Sequence, residues 1–212
     1  MTINYENLSG VESFVETHSH CKLLIVTKNQ SVDDINTLLE KKFQIFGENR
    51  VQEAKLKYLE FRDNFIFNLH LIGPLQTNKV KTSLQLFDAI QTIDRTPLID
   101  EIVKIKNKLK VVQTKDFYIQ VNIGKEEQKA GVQPEQVKKL YQYCLDKGLN
   151  ITGLMCIPPQ GKDPNPFFKQ MVNIKKSISA VNLNLSMGMS GDYKDAVSHN
   201  SNLIRVGSLI FR

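Results

Sequence analysis

Cysteine is scarce in this chain and never closely spaced. Cys21, Cys144 and Cys156 are odd in number, far apart, and form no Cys-x-x-Cys pair. This argues against a disulfide or zinc framework and suits a reducing, cytoplasmic setting. Histidine is also sparse: only His18 and His20 lie close together, His70 and His199 stand alone, and no metal site is expected. No apolar run approaches the length of a membrane span. The opening Met1-Thr2-Ile3-Asn4-Tyr5-Glu6 has neither the basic nor the apolar region of a signal peptide. A Gly-x-Gly-x-x-Gly nucleotide fingerprint is missing after the first apolar run.

What is present describes an ordinary globular chain. Its 212 residues, 41% hydrophobic and 24% charged, suffice for one good-sized core. The net charge of +6 raises the question of nucleic acid. The lysines, however, are spread over expected helix faces: Lys41 and Lys42, alternate positions over 104–110, Lys138 and Lys139, Lys175 and Lys176. Solvated helix surfaces account for them better than a nucleic-acid patch does. No linker or low-complexity segment divides the chain, so residues 1–212 are expected to form one domain.

Short apolar runs alternate with stretches of helical spacing. Strands are expected over 23–26, 43–46, 65–72, 87–93, 117–123, 151–157, 183–187 and 203–206. Between them, apolar residues recur at three- and four-residue intervals: Val32, Ile35, Leu38 and Leu39; Leu98, Ile102, Ile105 and Leu109; Val137, Leu140, Tyr141, Cys144 and Leu145, closed by Gly148. Phe167, Phe168, Met171, Val172, Ile178 and Val181 mark a further helix, and the N-terminal segment is read as helical. Strict alternation implies a parallel sheet with helical crossovers. Eight units imply an α/β fold, a single (β/α)8 TIM barrel, with a doubly wound open sheet as the alternative.

A barrel gathers its strand ends at one mouth, where ligands bind. Lys28 stands at the end of the first strand, where a partly desolvated amine could attack an aldehyde. The small-residue segment 186–192, which contains Met187, Ser190 and Gly191, leads into a helix and could take an anion on its backbone amides. Gly207 and Ser208, after the last strand, offer a second close backbone approach. Arg205, within that strand, needs either a carboxylate partner or a ligand. His70 reads as a hydrogen-bonded histidine of the barrel wall, while Gln120 and Asn122 share a face that could line the mouth. An amine, a phosphate cradle and a buried arginine together fit pyridoxal 5′-phosphate (PLP).

Several ordered blocks then carry a family resemblance: Ile25-Val26-Thr27-Lys28, Phe46-Gly47-Glu48-Asn49-Arg50-Val51-Gln52-Glu53, His70-Leu71-Ile72-Gly73-Pro74-Leu75-Gln76-Thr77-Asn78-Lys79, Gln120-Val121-Asn122, Lys129-Ala130-Gly131, Gly153-Leu154-Met155, the segment 185–192, and Arg205-Val206-Gly207-Ser208-Leu209-Ile210-Phe211. Over nearly its whole length the chain resembles the pyridoxal phosphate homeostasis protein family. The resemblance implies the PLP fold type III barrel, like the N-terminal domain of alanine racemase but without its C-terminal β domain. It further implies that Lys28 forms the internal aldimine, that Ser190, Gly191, Gly207 and Ser208 hold the phosphate, that Arg205 faces the pyridine nitrogen, and that Asn49 lies beside the ring, with Met187 among the cofactor-binding residues. One departure stands out. Asn29-Gln30-Ser31 follows the lysine where the family usually has Thr-Lys-Pro, which removes a positive charge near the site.

Three arguments favour a carrier over an enzyme. An arginine against the pyridine nitrogen weakens the ring as an electron sink. A racemase needs two bases, and the tyrosine that alanine racemases supply from a second domain has no counterpart here. An uncovered mouth leaves the bound cofactor open to other amines. The expectation is therefore a monomeric carrier or regulator of PLP, with apo PLP-dependent enzymes as recipients, no nucleic-acid or membrane partner, and a slow amino-acid racemase as the alternative.

Overall fold

The computed structural model describes residues 3–178 and 182–211. Eight parallel strands close into a barrel in chain order. They are β1 Lys22–Val26, β2 Ile45–Glu48, β3 Asn68–Leu71, β4 Ala89–Ile93, β5 Asp116–Val121, β6 Gly153–Cys156, β7 Asn184–Ser186 and β8 Leu203–Val206. The last strand returns to the first, with Lys22 opposite Leu203 and Ile25 opposite Val206, so no sheet edge is exposed. Around the barrel run α1 Tyr5–Glu16, α2 Val32–Glu40, α3 Val51–Tyr58, α4 Val80–Leu86, α5 Thr96–Lys106, α6 Val137–Asp146, α7 Asn165–Ser177 and α8 Tyr193–Ser198. The expected Val181 end of the seventh helix lies outside the described residues. Among the described residues no helix is long and apolar enough to cross a membrane.

Local chemistry sets the helix ends. Ser31 caps α2 by accepting from the Asp34 amide at 3.1 Å, and Asp33 and Asp34 sit at the positive end of the helix dipole. Gly148 takes φ +71° and closes α6, where the Leu149 amide donates to the Cys144 carbonyl at 2.8 Å. Two strands are displaced from their expected spans. β2 runs on through Gly47 and Glu48 because these pair with His70 and Leu71 of β3. β3 begins only at Asn68 because Phe65 is held back by a 2.9 Å bond to the Phe61 carbonyl at the end of a 3₁₀ turn over Glu60–Asp63.

The core has two layers. Outward strand residues such as Ile25, Phe46, Leu69, Ile90, Ile119, Leu154 and Ile204 pack against helix residues such as Ile35, Leu38, Ala54, Ile102, Leu140 and Phe168, all buried. Each large side chain so buried contributes about 1.5–3 kcal/mol, so this outer shell carries most of the stability. The barrel interior is then free to hold polar groups. Gly47 leaves room there for Leu24, and Gly153 for the Tyr118 ring.

Candidate functional site

The end of β1 is anchored from beneath. Thr27 is fully buried; its Oγ1 lies 2.8 Å from Glu48 Oε1 and 2.7 Å from the Tyr58 hydroxyl. Lys57 Nζ donates to the Thr27 carbonyl at 2.8 Å, to Glu48 at 3.2 Å and to Glu53 at 2.5 Å. Glu53 also accepts from the Asn29 amide at 2.7 Å, where Asn29 turns through φ 61°. The residues on both sides of Lys28 are thus tied to α3. Burial pushes the Glu48 carboxyl up, against the opposing pull of Thr27 and Lys57, and its Oε2 has no hydrogen-bond partner. Burial also raises Tyr58 well above the usual phenol range, despite its bond with Thr27. From sequence, Glu48 is a charged residue at the end of the second strand and Tyr58 an apolar position on the helix that follows; the anchoring contacts that join them to Lys57 and Glu53 are not expected.

Above this anchor lies a cavity of about 410 Å³ at the carboxyl ends of β1, β7 and β8. Lys28, Ser190, Gly191, Arg205, Gly207 and Ser208, all expected from sequence, line it together. Val26, Asn29, Gln30, Met189 and Phe211 complete the wall, though none of them was expected as a cofactor-binding residue. Lys28 is exposed rather than partly desolvated, because the mouth above it is open. Two expected residues do not line the cavity. Met187 is fully buried in the outer core; it follows the inward Ser186, and period-two alternation turns it outward. Asn49 is half-buried at the end of β2, where a Cβ on Gly73 would overlap its backbone.

The loops after β7 and β8 meet at Ser190. Its Oγ accepts from the Gly207 amide at 3.4 Å and the Leu209 amide at 3.2 Å. Two amides converging on one oxygen make a small anion nest. Gly207 is required by close approach: a Cβ there would stand 3.0 Å from both Cβ and O of Val26. At Gly191 a Cβ would meet nothing within 4 Å, so this glycine leaves space at the cavity wall. Asp192 accepts from the Met189 amide at 2.6 Å, and burial raises its carboxyl against the pull of that bond and of Arg205.

Arg205 is 3% exposed, and its partners are neutral. Nη1 donates to Ser186 Oγ and Nη2 to the Cys156 carbonyl, both at 2.8 Å. The alternative of a hydrogen-bonded carboxylate partner therefore does not hold. A buried guanidinium that faces a cavity without such a partner suits an acceptor group on a ligand. Burial lowers its proton affinity, with Cys156 and Asp192 opposing. His70 sits in the barrel wall as expected, with Nδ1 2.8 Å from Gln91 Nε2, and burial pushes it down to about 4. Gln120 and Asn122 are buried and spend their amides on the loop over 124–131: Gln120 on the Ala130 carbonyl, Asn122 on the carbonyls of Glu126 and Lys129. A larger cleft of about 890 Å³, between α5 and α6, is lined by Asp94, Arg95, Lys138 and Tyr143 among others and shares no residue with the cavity at Lys28.

Comparison with known proteins agrees with this geometry. The family model described as alanine racemase, N-terminal domain, matches residues 5–212. A pyridoxal phosphate homeostasis protein of Aquifex aeolicus is 37% identical over 198 residues, covering 90% of this chain and 86% of its own. One of Pasteurella multocida is 33% identical, covering 95% and 90%. Among solved structures, PipY of Synechococcus elongatus with PLP bound superposes with a TM-score of 0.86 at 30% identity, over 98% of this chain and 99% of its own. An alanine racemase of Clostridium difficile shares the fold at TM-score 0.74 and 16% identity, and the match spans 55% of that chain.

Proposed function

The chain belongs to the pyridoxal phosphate homeostasis protein family, and from that premise we propose that it binds PLP in the cavity at Lys28. The observation that carries this reading is an exposed amine and a buried guanidinium with neutral partners facing one cavity. Lys28 would be the attachment point, its amine serving as the nucleophile toward the aldehyde that the cofactor would supply. Ser190, Gly191, Gly207 and Ser208 would hold the phosphate. Arg205 would face the ring nitrogen and, being positive, would disfavour its protonation. Asn49, just after β2 and outside the cavity lining, would lie beside the ring as the family resemblance implies.

The role is that of a carrier or regulator. Lys28 is reached from solvent, so another amine can take the cofactor from it. Among the described residues lining the cavity there is no tyrosine, histidine or carboxylate to serve as the second base of a racemase. Apo PLP-dependent enzymes are the recipients in this reading, and the cytoplasm is the setting. Three buried cysteines, all free, support a reducing compartment.

The test is a visible absorption titration of wild type and Lys28→Ala with PLP, followed by borohydride reduction and peptide mapping. A shifted band, with the label on Lys28 and absent from the variant, is expected. Identical free-aldehyde spectra for the two proteins would sink the attachment site. Transfer to an apo-enzyme and formation of D-amino acid, measured on the loaded protein, then separate carrier from racemase.

A further inference from the structure

Four buried polar side chains cross the barrel interior in one line. From β8, Arg205 Nη1 donates to Ser186 Oγ of β7 at 2.8 Å. Ser186 Oγ donates to Gln91 Oε1 of β4 at 2.7 Å. Gln91 Nε2 lies 2.8 Å from Nδ1 of His70 on β3. An amide nitrogen can only donate, so His70 accepts on Nδ1 and carries its proton on Nε2. Every hydrogen therefore points the same way, from guanidinium to imidazole. Ser186 and Gln91 are fully buried, while Arg205 and His70 are 3% and 8% exposed.

Apolar side chains could fill a barrel interior at less desolvation cost, so the line calls for a function beyond packing. One of its ends supplies a reason, because Arg205 lines the cavity. Ser186 and the Cys156 carbonyl take two of the five N–H groups of the guanidinium and fix its plane, leaving the others available. Were the Gln91 amide reversed, Ser186 would face two donors and have no acceptor for its own hydrogen. The need of the Ser186 hydroxyl for an acceptor therefore sets the amide, and His70 completes the lock by accepting the Gln91 hydrogen on Nδ1.

We propose that Gln91, acting through Ser186 and locked by His70, is a positioning residue that aims the Arg205 guanidinium at the ring nitrogen of the cofactor. This deepens the PLP-binding reading and rests on it. Gln91 touches no ligand in this scheme. It selects for a heteroaromatic ring bearing an acceptor nitrogen, because only such a ring uses the aimed donor.

The experiment compares dissociation constants for PLP and for its analogue with carbon in place of the ring nitrogen, in wild type, Gln91→Met and Ser186→Ala. Borohydride trapping at Lys28 is run on each protein in parallel. Wild type is expected to prefer PLP by about tenfold, the scale of a charge-assisted hydrogen bond. Gln91→Met should lose most of that preference by weakening PLP alone, and Ser186→Ala should change in the same direction. Equal weakening of both ligands, or an intact preference in the variants, would mean that Gln91 only fills space. Absence of any preference in wild type overturns the proposal together with the Arg205 assignment, while trapping still reports separately whether the chain holds PLP at Lys28. Should Gln91→Met fail to fold, Ser186→Ala decides.

Discussion

At Gln30 the cavity wall carries a neutral amide whose Nε2 donates to the Lys28 carbonyl at 3.2 Å and whose Oε1 is buried without a partner. The family pattern usually places a lysine there. A cation at this position would add attraction for a dianionic phosphate over a distance of several ångströms. Gln30→Lys is therefore expected to tighten PLP binding about three- to tenfold at low ionic strength, with the gain shrinking in high salt. An isothermal titration at two salt concentrations checks this; a salt-independent change would point to altered loop geometry instead. His70 gives a prediction of another kind. Burial lowers its pKa from 6.5 to about 4, so folding disfavours the charged imidazole. The stability this provides is present above the unfolded value of 6.5 and is lost as pH falls through about 4. Between pH 7 and pH 5 the loss from this residue alone is roughly 2 kcal/mol. Urea unfolding of wild type and His70→Gln at the two pH values measures it: the variant should show a difference smaller by about that amount.

Among the elements, the strand ends make the site and α3 holds them. Thr27→Val keeps the shape of the side chain but removes the hydroxyl between Glu48 and Tyr58. The partners left buried set an expected cost of about 1–3 kcal/mol in thermal or urea unfolding. Because Thr27 precedes Lys28, PLP affinity should fall as well. A variant as stable as wild type would show that Lys57 and Tyr58 compensate. The eight strands were legible from apolar runs alone, since a closed parallel barrel buries both faces of each strand. Their ends were less so: β2 runs on through Glu48 because Gly47 and Glu48 pair with His70 and Leu71 of β3, which no local pattern in the sequence announces. The outward turn of Met187 was implicit in alternation once Ser186 pointed inward. The anchor of Thr27, Glu48, Lys57 and Tyr58 was not, because no local spacing links the end of β1 to a helix three elements later.

For the molecule as a whole, the N-terminal segment braces the loop that completes the cavity. Ile3 bridges to Phe211, the Asn4 amide donates to the Ile210 carbonyl at 2.7 Å, and Asn7 Nδ2 donates to the Leu209 carbonyl at 2.8 Å. The same loop supplies the amides of Gly207 and Leu209 that converge on Ser190. The outer shell of the barrel does not depend on these contacts, so global stability and site order are separable. Asn7→Ala removes a half-buried bond to the loop but keeps the Asn4 cap of α1, whose Oδ1 accepts from the backbone amide of residue 7 at 3.0 Å. The expected result is a change of less than about 1 kcal/mol in global unfolding. PLP affinity should nevertheless fall a fewfold, through a loop that must be reordered on binding. Hydrogen exchange at Gly207 and Leu209, measured alongside the affinity, locates the effect. Faster exchange there with an unchanged barrel fits a brace from α1 to the phosphate loop. Unchanged exchange and unchanged affinity would leave α1 as a cover for the end of the barrel, with no part in shaping the site.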